Sequence, residues 1–174
     1  CWLAFALHPL PPANFCWKAV GLPDDWPRLE GFAGHWEKNA NCAASCDVWF
    51  LNLFPREAPF THSAGGYQTL NFVPALATMI FGMLAGQLLR SGLPTPDKLK
   101  RLVLAGVAGL VLGKAVELAG LCPIVKRIWT PSWALFSGGL VTLLLAGFVA
   151  LIDWRGWKRW AAPLVVAGMN TIAL

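Results

Sequence analysis

The stretch from Tyr67 to Arg90, YQTLNFVPALATMIFGMLAGQLLR, constrains this chain most. It carries no charge over about 20 residues, the length of helix that crosses roughly 30 Å of hydrocarbon. At helical spacing Asn71, Ala75, Thr78, Gly82 and Gly86 fall on one face, with Gln68 leading in. Phe72, Leu76, Ile80, Met83 and Leu84 lie elsewhere round the helix. A stripe of small and polar groups has no use in lipid, but it lets helix backbones approach one another. The pattern therefore predicts a membrane helix with one side turned into a protein bundle.

Composition agrees. The 174 residues are 56% hydrophobic and only 13% charged, against about 25% charged in a soluble domain. Ten Trp suit a chain with membrane interfaces. The expected fold class is all-α, a polytopic transmembrane helix bundle with a long extracytoplasmic loop. Spans are expected at about 1–7 (partial), 68–90, 99–121, 132–152 and 161–174 (partial), with the outer loop at 8–67. All belong to one domain. Both terminal runs, CWLAFAL at the start and the apolar run reaching Leu174, are expected to be cut within membrane helices.

The long loop mixes Pro, Asp and Trp and holds four basic against six acidic residues. Within it Cys42, Cys46, Trp49, Phe50, Leu53 and Phe54 recur at helical spacing, with Asn39 or Asn41 as cap and Pro55 as terminator. That helix has no basic face and is expected to pack on the outer end of the bundle. The second span contains Gly106, Gly109 and Gly113 for close packing. It also contains Lys114 and Glu117, which can pair across one turn and serve either a functional or a structural end.

Short-loop charge sets the direction. Arg90, Lys98, Lys100 and Arg101 share a side with Arg155, Lys158 and Arg159, which the positive-inside rule makes cytoplasmic. The net charge of +5 is read as this bias, so no nucleic-acid partner is expected. Lys126 and Arg127 then face outward just before the helix start at Trp129, Thr130 and Ser132. They suit either an anion site or an interfacial anchor.

Cys16, Cys42, Cys46 and Cys122 fall on the outer side, where disulfides can persist. No His flanks Cys42 and Cys46 at a zinc-finger spacing, so no metal is expected. His8, His35 and His62 are also on that side, and each is read first as a loop His rather than a base. Asn170, placed in an apolar run, either joins helices or lines a cavity.

Several stretches taken together carry a resemblance. They are WEKNANCAASCDVWFLNLF, then GGYQTLNFVPALATMIFGMLAGQLLR, then CPIVKRIWTPSWALFSGGLVTLLLAGFVALIDWRGWKRW, and last PLVVAGMNTIAL. Their order resembles the C-terminal half of bacterial membrane proteins related to heparan-alpha-glucosaminide N-acetyltransferase. The matching positions are Asn41 and Asp47, Leu84 to Gly86, Lys126 with Trp129, Thr130 and Ser132, Ile152-Asp153 with Gly156-Trp157, and Gly168 to Asn170. The resemblance covers most of the chain from about Trp36 onward. The loop between Pro9 and Glu37 is longer than the family pattern.

The resemblance implies an acyltransferase of the bacterial inner membrane. Its co-substrate would be cytoplasmic acetyl-CoA, and its acceptor an extracytoplasmic amino sugar or other glycan. The family's catalytic His would lie upstream of this stretch, and none of the three His here matches it. Asn41, Asp47, Asn71, Thr78, Lys126, Trp129, Ser132 and Asn170 are the candidates for lining the channel or substrate site. Arg90, Lys98 and Lys100 are the candidates for holding the CoA phosphates. The bilayer is the main partner, and a homo-oligomer is compatible with the sequence. A transporter or a non-catalytic membrane assembly module would use the same helix faces and is the competing expectation.

Overall fold

A computed structural model describes residues 2–169, and among them every regular element is helical. Six α-helices follow in order: α1 (Trp2–Leu7), α2 (Cys42–Leu51), α3 (Phe72–Arg90), α4 (Thr95–Leu118), α5 (Pro131–Phe148) and α6 (Ala162–Met169). Asn170 lies outside the described residues.

The helix ends follow local chemistry. The Asn41 side chain accepts from the amides of Ala43 and Ala44, both at 3.0 Å, so it rather than Asn39 caps α2. That helix stops at Leu51, short of Pro55. The amide of Asn52 turns back to the Val48 carbonyl and pairs with Phe60 in both directions. A 3-10 turn, Thr69–Asn71, leads into α3, whose Pro74 sits in the first turn, where a missing N–H costs nothing. Thr130 caps α5 and Pro131 opens it. The stretch expected as a span at 99–121 forms the helix α4, Thr95–Leu118, which ends where Gly120 takes φ +70° and is not among the described helices apolar enough to cross a membrane. It carries Arg101, Lys114 and Glu117, the last two paired. The expected 132–152 helix runs as α5 and then as a π-helical turn, Val149–Trp154.

Two helical stretches, Thr69–Arg90 and Pro131–Trp154, are long and apolar enough to cross a membrane. The tightest packing is between α4 and α5, where glycine meets backbone. A Cβ added at Gly139 would lie 2.6 Å from the Gly106 carbonyl oxygen, and one at Gly113 would lie 2.9 Å from the Ser132 carbonyl oxygen. The close approach expected of Gly106, Gly109 and Gly113 is thus what α4 makes.

The stripe on α3 behaves differently. Ala75 and Thr78 are half-buried, but a Cβ at Gly82 or Gly86 would meet nothing within 4 Å. Instead α3 packs through Ala85, Leu88 and Leu89 onto the buried trio Leu102, Ala146 and Val149. The upper half of its stripe touches protein; the lower half borders an open groove.

At the other end, Phe5, Trp36, Ala43, Cys122 and Ile128 form a second buried cluster, joining α1, α2 and the loops. Phe5 stacks on Trp36 with ring centroids 6.2 Å apart. Helix α2 packs there through Ala43 and Asp47, while Trp49, Phe50, Leu53 and Phe54 are exposed. The helix sits where expected, but its most buried residues are Ala43 and Asp47, beside the stripe, and the aromatic end of the stripe stays exposed.

Candidate functional site at the aromatic cap

Most of the sequence candidates converge on the end of the molecule that holds the aromatic cluster. Asn71, at the mouth of α3, donates from Nδ2 to the Arg127 carbonyl at 2.6 Å. One turn or two along, Thr78 Oγ1 accepts from Trp129 Nε1 at 3.1 Å. These two bonds pin the turn before α5 onto α3, and Trp129 holds φ +50° within it. Ser132 Oγ donates to the Pro123 carbonyl at 2.7 Å and lies 3.1 Å from Thr130 Oγ1. Thr130 Oγ1 also receives the Val125 amide. The 122–130 loop is therefore closed on itself by two buried hydroxyls, and it presents Lys126 and Arg127 outward.

Asn41 and Asp47 do structural work nearby. Asn41 is fully buried and also donates to the Glu37 carbonyl at 2.7 Å. Both Asp47 carboxylate oxygens accept the Thr69 amide, at 3.1 and 3.0 Å, tying α2 to the start of α3. The candidates for CoA phosphates are at the far end of α3, about 28 Å away by helix rise. There Lys98 Nζ caps the C-terminus of α3 through the Leu89 carbonyl at 2.8 Å, while Arg90 and Lys100 are exposed.

Two cavities border these residues. A groove of about 480 Å³ runs between α3 and α5, with Thr78, Trp129 and Trp133 towards one end and Leu89 and Leu145 towards the other. Gly82 and Gly86 give it depth. Its hydroxyls are satisfied within their own helices, Ser137 by the Trp133 carbonyl and Thr142 by the Gly138 carbonyl. Trp133 Nε1 is buried without a partner. A second cavity of about 330 Å³ lies in the cap, lined by Trp26, Trp36, Glu37, Lys38, Lys126 and Arg127 among others.

Trp26, Glu37 and Lys38 escape sequence reasoning. Glu37 is 3% exposed and its carboxylate accepts three N–H groups: Leu29 N at 2.6 Å, Lys38 N at 2.8 Å and Trp26 Nε1 at 3.2 Å. It thereby fixes the indole against which Lys38 and Arg127 lie, their charged atoms 5.0 and 5.8 Å from its ring centroid. Gly66, at φ +73°, leaves room for the Lys38 stem, which a Cβ there would meet at 3.0 Å.

The His residues gain no catalytic geometry. His8 Nε2 is 3.1 Å from Ser45 Oγ, and His62 Nδ1 is 3.0 Å from Thr61 Oγ1. Cys16, Cys42, Cys46 and Cys122 are free thiols. Burial pushes the Cys122 thiol up, against a hydrogen bond from Ser132, and burial with neighbouring Cys46 pushes Cys42 up. Maleimide reacts through the thiolate, so Cys16, which is exposed, should label at least about tenfold faster than Cys122. Equal labelling of the two in the folded protein would contradict the packing of the 122–130 loop.

Comparison with family models, with curated proteins and with solved structures gives no match for this chain.

Proposed function

We propose that this chain is the membrane-embedded part of an acyltransferase, moving an acetyl group from cytoplasmic acetyl-CoA to an extracytoplasmic amino sugar or other glycan. The observation that carries the reading is the groove between α3 and α5. Its lining from Thr78 to Leu89 extends about 16 Å along α3, and its upper end is bordered by the segments on which the resemblance rests. A slender, largely apolar groove with hydroxyl and indole groups at one end suits a thioester arm. The oxyanion that forms when an amine attacks a thioester needs donors; Trp133 lines the groove, and its buried Nε1 has no partner, so a small turn of the ring would offer it.

The bilayer setting is supported by exposure. Only 6% and 17% of the apolar windows of Thr69–Arg90 and Pro131–Trp154 are buried. Core helices of a soluble domain would be covered by protein, so these faces call for lipid. On the positive-inside reading, Arg90 and Arg155 mark the cytoplasmic face and the aromatic cap lies outside, in a bacterial inner membrane.

A specific observation favours a second reading, a non-catalytic assembly module. Asn41, Asp47, Asn71 and Thr78 all spend their polar groups on holding the fold. The two readings separate in one assay on the full-length protein, which would include the upstream His that the resemblance implies: transfer of labelled acetyl from acetyl-CoA to glucosamine in membranes. Trp133→Phe keeps the ring and removes the donor. On the acyltransferase reading it should lower the transfer rate by about a hundredfold, the scale of losing one oxyanion donor. Absence of any transfer or thioester hydrolysis in the unaltered protein would leave the module.

A further inference from the structure

Lys38, Lys126 and Arg127 come together at the cap cavity with a single carboxylate, Glu37, in the same lining. The ion pairs among the described residues are Lys18–Asp24 and Lys114–Glu117, and neither reaches this cavity. The single acid in its lining, Glu37, has its oxygens taken by three N–H groups. Lys38 and Arg127 both lie over Trp26, their charged atoms 5.0 and 5.8 Å from its ring centroid, and an anion joining them would relieve their mutual repulsion.

The geometry of these cations is built. The Lys38 stem is held between Trp26 and the bare backbone of Gly66. Arg127 is placed by the Asn71 bond to its carbonyl and by the closed 122–130 loop. With three cations and one carboxylate, the lining has about two positive charges to spare. A phosphate monoester carries about −1.5 to −2 at neutral pH and offers three oxygens. A guanidinium fork and an ammonium point charge bind such a group well. Trp26, Trp36 and Ile128 supply apolar surface beside it. At about 330 Å³ the cavity is at the small end of ligand sites, the size for a phosphorylated sugar or a lipid headgroup rather than a nucleotide.

We infer that the cap cavity bounded by Trp26, Lys38, Lys126 and Arg127 is a binding site for a phosphate monoester. The inference stands on charge and cavity and does not require the acyltransferase reading.

Glucose 6-phosphate is the probe for a soluble source, with glucose as its neutral control, titrated calorimetrically onto the protein in phosphatidylcholine nanodiscs. Nanodiscs containing phosphatidic acid provide the lipid arm. Saturable binding of glucose 6-phosphate but not glucose is expected. Lys38→Met and Arg127→Met should each weaken it about tenfold, the scale of one charge-assisted bond. Arg127→Lys should retain part of the affinity, and Arg56→Met, whose side chain lies over Phe60, should retain all of it. If phosphatidic acid instead occupies the site and blocks the sugar phosphate in a Lys38- and Arg127-dependent way, the ligand is the lipid headgroup and the site stands. No binding of either probe, or binding indifferent to both Met variants, overturns it.

Discussion

Gly139→Ala is expected to force α4 and α5 apart and to destabilise the protein by about 1–3 kcal/mol or more, the cost of overpacking a tight contact. The new Cβ would lie 2.6 Å from both the Gly106 carbonyl oxygen and the Leu110 amide nitrogen. These are backbone atoms of a continuous helix and cannot rotate away. Relief requires moving one helix, and the movement would propagate. Gly109 already approaches the Gly139 Cα and the Leu135 carbonyl, and Gly113 approaches Phe136. On the proposed bilayer setting no hydrophobic force would restore the pair, because lipid tails are as apolar as the helix faces; close packing itself would supply the attraction. Gly82→Ala and Gly86→Ala on α3 are the matched comparison. They meet open space, so alanine's better helix propensity, up to about 1 kcal/mol, should leave stability unchanged or raised. Thermal unfolding of the three variants in detergent checks this. A Gly139→Ala melt equal to the unaltered protein, or one above that of Gly82→Ala, would remove the α4–α5 contact as the mechanical centre of the fold.

These glycines also show how much the sequence could disclose. Spacing alone marks both α3 and α4 as carrying a small-residue face, because periodicity is local. It cannot say which face finds a partner. The same limit applies to α2, where the aromatic stripe is the more conspicuous pattern and Ala43 and Asp47 take the buried side. Capping by Asn41 is legible, since its cause lies within a few residues, whereas the expected end at Leu121 overshoots α4, which stops at Leu118 ahead of Gly120 at φ +70°. Asn71 and Thr78 are legible as polar groups in an apolar run. Their partners, Arg127 and Trp129, lie 56 and 51 positions away, and only the fold joins them. Glu37 is hidden more deeply. It reads as one acid among six in an irregular segment, and its importance comes from three N–H groups converging on it.

That convergence sets the second large effect. Glu37→Ala should release the Trp26 indole and leave the Leu29 and Lys38 amides without their acceptor in a cavity wall that is otherwise covered. Hydrogen bonds to a charged acceptor are worth about 1.5–3 kcal/mol each and do not add in full, so a loss of about 3–5 kcal/mol is expected. Glu37→Gln should lie between the two. Its single carbonyl oxygen can replace one carboxylate oxygen, but its NH2 would face a donor where an acceptor is needed. Amide hydrogen exchange at Leu29 and Lys38 reads the effect at its source: protection should fall in Ala, and fall less in Gln. Exchange along α4 should be unaffected, since the α4–α5 glycines share no partner with Glu37, and separate sites act independently. Because the freed indole no longer carries Lys38 and Arg127, glucose 6-phosphate binding should weaken with the same ranking. Unchanged protection at both amides in Glu37→Ala would mean the carboxylate does not organise the cap. The cations would then need another cause for their placement.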